Sequence, residues 1–106
     1  MNDADLIAVG ADEKGGVWKD HFGVSPVYRL YDLTGTLVEE RANPHASANH
    51  HGNPLLIAEL LEGCSVWIAA TVGPKRSMVE ERGIRVILTQ AETADEAVAA
   101  YLRGER

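Results

Sequence analysis

Cysteine is almost missing from this chain: Cys64 is the only one in 106 residues, which excludes an internal disulfide bond. Small secreted domains commonly depend on several disulfides, so this scarcity favours a cytoplasmic protein. The first five residues are polar and acidic, which is not the pattern of a secretory signal. We therefore expect a cytoplasmic location.

Long apolar runs and an excess of basic residues are also missing. No apolar run reaches the roughly 18–20 residues that a membrane-spanning helix needs, so we expect no membrane partner. Ten Lys and Arg stand against 16 Asp and Glu, and the formal net charge is −6. A general nucleic-acid binder needs a basic face, so we expect no nucleic-acid partner. The length predicts one domain over residues 1–106.

The residues suited to chemistry are concentrated in one part of the chain, since all four histidines fall between residues 21 and 51. His21 lies in the segment Lys19-Asp20-His21-Phe22-Gly23, and the other three lie in a stretch rich in Asn and small residues, 43–53. Imidazoles bind metals and carry protons near neutral pH. The glycines, by contrast, form neither a P-loop nor a dinucleotide-binding pattern.

Hydrophobic patterning and turn residues predict an α/β order, with a β-hairpin inserted after the first strand. The predicted strands are 6–10, 26–32, 36–41, 65–70 and 84–88. The predicted helices are 54–61, 74–82 and 93–103, and the last begins with a capping box formed by Thr93 and Glu96.

Alternation of strand and helix in the second half of the chain implies parallel strands with right-handed crossovers, and the hairpin adds an antiparallel strand. The expected structure is a five-stranded mixed sheet covered by helices. Ligands of such sheets bind beyond the carboxyl ends of the parallel strands. The loops 11–25 and 71–74 are predicted to lie at that end, and the histidine stretch 43–53 leads back towards it.

An ordered series of short motifs resembles the dinitrogenase iron–molybdenum cofactor biosynthesis family, with its NifX-like and NifB C-terminal-like domains. The resemblance covers nearly the whole chain. Its motifs are Asp20-His21-Phe22-Gly23-Val24-Ser25-Pro26, Tyr28-Arg29-Leu30-Tyr31-Asp32, Glu40-Arg41-Ala42-Asn43-Pro44, His51-Gly52, Gly73-Pro74 and the closing stretch 97–104.

The resemblance implies a ribonuclease-H-like fold with one antiparallel strand and three helices. It also implies a non-catalytic protein that binds, carries or stores an iron–molybdenum–sulfur cluster or a related molybdenum-containing sulfide cluster. Cofactor assembly or acceptor proteins would be its partners, and we expect a monomer or weak homodimer. A classical iron–sulfur site takes four thiolates. With Cys64 alone, a cluster would have to arrive largely assembled and be held by few direct bonds.

The candidate metal ligands are His21, His50 and His51. His21 either contacts the metal or sulfide at the end of a flexible glycine-rich loop or fixes that loop by a hydrogen bond. Neighbouring side chains of an extended segment point to opposite faces, so one of the adjacent pair faces the site, and we favour His51. His45 is more simply a solvated loop residue. Cys64 is most simply a small, inert, half-buried hydrophobe.

Further cofactor contacts are expected from Gly23, Gly52, Gly73 and Lys75. The turn at Gly73-Pro74-Lys75-Arg76 opens a helix, whose exposed N–H groups and positive end favour anions such as metal sulfides. A plain strand–helix turn with a solvated basic face explains the same residues equally well. Lys14 and Lys19 flank Trp18 and are placed to close over a bound cluster, whereas Trp18 itself is as well explained by packing on the domain.

Two other functions compete with cluster binding. A metal-dependent hydrolase on the same fold would need several converging carboxylates, for which Asp12, Asp20 and Asp32 are available. A protein-interaction module without a ligand of its own needs none of these residues. Fold alone does not separate these alternatives.

Overall fold

The computed structural model describes residues 6–44, 54–71 and 76–104. These residues form five strands, three α-helices and a single 3₁₀ turn. The strands are β1 (Leu6–Ala11), β2 (Val27–Tyr31), β3 (Leu37–Ala42), β4 (Cys64–Ala69) and β5 (Arg85–Leu88). The helices are α1 (Pro54–Leu60), α2 (Arg76–Glu80) and α3 (Ala94–Leu102), and the 3₁₀ turn is Phe22–Val24.

The strands make one mixed sheet in the order β3-β2-β1-β4-β5. Strand β1 pairs in parallel with β4, and β4 pairs in parallel with β5, whereas β2 is antiparallel to both of its neighbours. The predicted five-stranded mixed sheet with three helices is confirmed. Because β1 and β4 are parallel neighbours, the loops that follow Ala11 and Ala69 leave from the same edge of the sheet, which we call the carboxyl edge.

Apolar side chains cover both faces of the sheet. Side chains alternate along a strand, so Ala8 of β1 joins the core under α1 and α2, while Ile7 and Val9 join the core under α3. Burial on both faces explains why β1 and β4 read as continuous apolar runs rather than as alternating ones. The sheet is therefore the middle layer between two helical layers.

The predicted element boundaries hold within one residue, except at α2. This helix was expected to begin at Pro74, which lies outside the described residues, and to end at Arg82; it ends at Glu80. The N–H groups of Arg82 and Gly83 donate to the carbonyls three residues earlier, so the last turn tightens instead of continuing the helix. Gly83, with φ of 87°, then ends the segment as expected.

The β2–β3 turn is built around Asp32. Its carboxylate accepts hydrogen bonds from the backbone N–H groups of Thr34 and Thr36 and from the Thr34 hydroxyl. These bonds hold the pKa of the Asp32 carboxyl below its ordinary value. Since Tyr31 pairs with Ile7 at the beginning of β1, this turn lies at the edge of the sheet opposite to the carboxyl edge.

None of the helices in the described ranges has the length and apolar character that crossing a bilayer requires.

Replacing Thr93 tests whether the capping box stabilises the first turn of α3. The Thr93 hydroxyl accepts from the Glu96 N–H, and the Glu96 carboxylate accepts from the Thr93 N–H, so both halves of the predicted capping box are present. Thr93→Ala should lower the free energy of unfolding by about 1 kcal/mol in urea denaturation. Thr93→Ser, which keeps the hydroxyl, should stay close to the original protein; equal losses in both variants would contradict the capping role.

Candidate functional site

The segment between β1 and β2 places His21 at the carboxyl edge. The chain turns back after β1, and the Trp18 N–H donates to the Gly10 carbonyl at 2.9 Å. His21 then forms a parallel bridge with Thr71, and the Phe22 N–H donates to the Thr71 carbonyl at 3.1 Å. Because Thr71 follows β4, His21 lies beyond the ends of both central parallel strands, where ligands of such sheets bind.

The first half of this loop is more ordered than its glycines led us to expect. The Asp12 carboxylate accepts from the N–H groups of Lys14 and Gly16 at 2.8 and 2.9 Å, and Gly15 takes a φ of 89° to complete the turn. Bridges join Val17 to Ala11 and Gly16 to Thr93. We expected a flexible loop here, but hydrogen bonds to the backbone order residues 11–17.

Phe22 anchors the second half of the loop in the core. Its ring stacks on Trp67 with centroids 4.9 Å apart and is tilted against Tyr28 at the same separation. A side chain at Gly10 would clash with the Ser25 hydroxyl, so the glycine allows the turn to lie directly on β1. The residue before Phe22 is thereby held at the surface just above this aromatic cluster.

A buried polar cluster, which we call the Asn43 cluster, ties this turn to the end of β3. The Asn43 side-chain N–H₂ donates to the carbonyls of Gly23 and Ser25 at 3.0 and 2.9 Å and to the Tyr28 hydroxyl at 3.2 Å. The hydroxyls of Tyr28 and Ser25 both donate to the Phe22 carbonyl, at 2.7 and 2.8 Å. Burial raises the pKa of Tyr28, so this hydroxyl stays protonated and can donate.

The His21 imidazole takes no part in fixing the loop. Its backbone N–H donates to the Asp20 carboxylate at 2.8 Å, but its side chain makes no hydrogen bond with any described residue. The ring Nδ1 atom is buried and has no partner there. The reading in which His21 secures the loop by a side-chain hydrogen bond finds no support in the described part of the chain, because the backbone and the Asn43 cluster perform that task.

Most other predicted site residues fall outside the described ranges, namely His50, His51, Gly52, Gly73 and Lys75, and so does His45, which was expected to be a solvated loop residue. Gly23 is described, and its carbonyl belongs to the Asn43 cluster. Within residues 6–44, 54–71 and 76–104, no three His, Cys, Asp or Glu side chains come together as a metal site. The described part of the edge thus offers one imidazole rather than a ligand set.

Two of the expected positive charges are directed elsewhere. The Lys19 ammonium lies 3.3 Å from the Ala91 carbonyl and 3.8 Å from the Glu92 carboxylate, on the side towards α3. Arg76 pairs with Glu80 at 3.0 Å and donates to the Val86 carbonyl on the edge strand β5. In this arrangement both side chains contact groups away from the His21 loop.

Cys64 lies at the far side of the sheet from His21. It is the first residue of β4, whereas His21 bridges to Thr71 after the end of that strand. Seven residues of extended chain separate the two positions by about 20 Å. Burial raises the pKa of the Cys64 thiol to about 11, so it is neither reactive nor available as a thiolate at neutral pH. The expected inert role agrees with this placement.

The carboxylates that a hydrolase would need do not converge. Asp12 and Asp20 accept backbone N–H groups within the loop at the carboxyl edge. Asp32 caps the β2–β3 turn at the opposite edge. Two-metal catalysis needs carboxylates around ions about 3.5–4 Å apart, which these three positions cannot provide together.

The sequence matches the dinitrogenase iron-molybdenum cofactor family over residues 5–104. The chain therefore belongs to this family, as the ordered motifs predicted. A comparison with curated protein sequences gives no match.

Solved structures share the fold. The apo form of the orange protein from Desulfovibrio gigas superposes with a TM-score of 0.79 at 24% identity, covering 99% of this chain and 92% of that one. The NMR structure of a Thermotoga protein described as NifB and as a member of the DUF35 family gives 0.72 at 23% identity, covering 94% and 89%. At these identities the likeness establishes the architecture alone.

Removing the Asn43 side chain should show how far the loop depends on it. Asn43→Ala leaves buried carbonyls of the 22–25 turn without their donor, so we expect a loss of about 1–3 kcal/mol in the free energy of unfolding. Urea denaturation measures this loss. Gln90→Ala removes an exposed amide and serves as the matched control, with a change near zero. A loss no larger than in the control would contradict the role of the cluster.

The raised pKa of Cys64 predicts slow alkylation of the folded protein. Iodoacetamide reacts with the thiolate form of cysteine. The pKa of the Cys64 thiol is near its ordinary value of 9.0 in the unfolded chain and is raised to about 11 in the folded protein. The folded state therefore favours the neutral thiol, and this contribution to stability is lost as pH rises from 9 through 11. The labelling rate, followed by mass spectrometry, should rise at a pH about two units higher in the folded protein than in urea. Coincident profiles would show that the thiol is exposed.

Proposed function

We propose that this protein binds a molybdenum- and iron-containing sulfide cluster, or a related molybdenum-containing sulfide cluster, and carries or stores it without catalysing a reaction. The observation that carries the proposal is the His21 imidazole. It is held at the carboxyl edge by an ordered loop, and its ring makes no hydrogen bond with the described residues. In a chain of the dinitrogenase iron-molybdenum cofactor family, a metal is the partner that such a nitrogen would take.

The residues present fit a cluster that arrives already assembled. Assembly of an iron–sulfur core on the protein would require several thiolates. Cys64 is the only cysteine of the chain, and it is buried at the opposite edge. An imidazole is a suitable ligand for such metals without thiolates. When bound, the cluster supplies the metal and sulfide chemistry, and the protein supplies orientation and release.

The Asn43 cluster supports the participation of the second histidine stretch. Asn43 comes one residue after β3 and is bonded to the turn that follows His21. The described chain therefore reaches Asn43, directly before the second histidine stretch, beside the turn that follows His21. We propose His51, with His50 as its alternative, as the second ligand. Gly23, Gly52 and Gly73 would bring the backbone near sulfide, and Lys75 would supply positive charge.

Rigid placement of His21 also suits a binding protein. Backbone bridges fix the loop before a ligand arrives, so little conformational freedom is lost on binding. The orange protein was solved in an apo form, which implies that it takes up a ligand, and the Thermotoga relative is described as NifB. Both descriptions fit a role in handling cofactors, with assembly or acceptor proteins as partners, in the cytoplasm, and as a monomer or weak homodimer.

The ribonuclease-H-like assignment is part of the proposal. A strand order of β3-β2-β1-β4-β5 with β2 antiparallel to the rest supports it. The fold alone does not imply nuclease activity, and Asp32 is separated from Asp12 and Asp20 by the length of the sheet. The hydrolase alternative has no observation in its favour among the described residues.

Cluster retention tests the proposal directly. Anaerobically purified apoprotein would be mixed with a molybdenum–iron–sulfur cluster or a tetrathiomolybdate–copper cluster, desalted and analysed by visible spectrum and metal content. We expect colour in stoichiometric amount. His21→Ala and His51→Ala should each reduce retention at least about tenfold, since few direct bonds hold the cluster. His45→Ala is the matched histidine control and should retain the cluster.

Two outcomes would contradict the proposal. Failure of the folded wild-type protein to retain either cluster would favour the ligand-free interaction module. Equal retention by the original protein and by both His21→Ala and His51→Ala would place the site elsewhere. Circular dichroism of each variant separates loss of binding from loss of fold.

A further inference from the structure

The buried side-chain nitrogen atoms that lack hydrogen-bond partners among the described residues include His21 Nδ1 and two indole Nε1 atoms. Among the described residues, four such atoms occur: Trp18 Nε1, His21 Nδ1, Trp67 Nε1 and Arg29 Nε. The Arg29 nitrogen lies 3.5 Å from the Glu40 carboxylate and so has an ionic partner. The other three belong to the segment 18–22 or to Trp67, which stacks on Phe22 of that segment.

Trp18 is placed to reach a ligand at the carboxyl edge. Its backbone N–H is bonded to Gly10 at the end of β1, three residues before His21. The preceding residue, Val17, is buried in the core under α3. Side chains of neighbouring residues in extended backbone point to opposite sides, so the Trp18 ring is directed away from that core. The ring is only partly buried, in contrast to Trp67, which is 4% exposed.

The chemistry of the Trp18 indole limits which groups could form a hydrogen bond with its Nε1 atom. An indole Nε1–H is a donor and has no acceptor function. Buried donors in folded proteins nearly always have partners, so an unpaired one at a candidate site requires an explanation. A ligand that presents acceptor atoms, such as sulfide or oxo groups on a metal, would provide one.

We propose that the Trp18 indole N–H donates a hydrogen bond to a sulfide or oxo atom of the cluster whose metal is bound by His21. The inference rests on the proposed function and names a second binding residue of the same site. It also accounts for anion binding at an edge where Lys19 and Arg76 are paired with other groups. A neutral donor stabilises sulfide in a partly dry site without burying a second charge.

The indole N–H signals in ¹H–¹⁵N spectra test this donor. The chain has two tryptophans and gives two indole signals, which Trp18→Phe assigns. Tetrathiomolybdate is the probe, since it presents sulfide acceptors on a diamagnetic metal. On titration, the Trp18 proton should shift downfield and exchange more slowly with water, while the Trp67 signal moves less. This measurement uses the original protein and does not depend on the folding of a variant.

Affinity measurements complete the test. Trp18→Phe keeps a ring but removes the donor, so the Kd for tetrathiomolybdate should rise about tenfold. Leu102→Ala changes an exposed side chain beside Gly35 of the β2–β3 turn, at the opposite edge of the sheet, and is the control, with less than a twofold change. If tetrathiomolybdate binds but the Trp18 signal does not move, or if Trp18→Phe binds it with unchanged affinity, then Trp18 is not a hydrogen-bond donor to the ligand. The proposed function would still stand in that case. No binding of tetrathiomolybdate or of either assembled cluster would overturn both.

Discussion

The side-chain amide of Asn43 is the contact on which the arrangement at the carboxyl edge depends. One –NH₂ group donates to two carbonyls of the turn after His21 and to the hydroxyl of Tyr28; the contacts with Ser25 and Tyr28 are buried, and the contact with Gly23 is partly buried. Buried polar groups are costly unless every member is paired, so the cluster forms as a unit or not at all. The end of β3 and the loop after β1 are thereby fastened together, although 17 or more residues separate them in the chain.

Charge does not organise the described part of the site. The net charge of the chain is −6, and both Lys19 and Arg76 have acidic partners on their own side of the molecule. Under the proposed function, the described part of the site would offer an anionic cluster imidazole, N–H donors and backbone. Such contacts are directional, so they select a ligand by the positions of its acceptor atoms more than by its total charge.

The sheet was predictable from sequence because its signals are local. The hydrophobic runs gave the strands, Gly83 ended the α2 segment, and the capping box marked α3. The sequence placed His21 in a loop at the carboxyl edge, where the structure has it, whereas its role as a metal ligand stays a prediction. The Asn43 cluster was missed because its bonds join residues distant in sequence. Its only sequence signal was Asn43 before Pro44 in a family motif, which does not reveal that the amide is buried. The contacts of Lys19 with Ala91 and Glu92 and of Arg76 with Val86 were not predicted, because these partners come from other segments of the chain.

The hydrogen bond from Arg76 to Val86 has a consequence for how copies of this protein meet. Strand β5 is an edge of the sheet, and the free peptide groups of an edge strand can pair with a strand of another molecule. The Arg76 guanidinium occupies one of these carbonyls and is itself steadied by Glu80. A charged side chain lying across this edge strand hinders the addition of a further strand, so copies of the protein can meet there without their sheets joining.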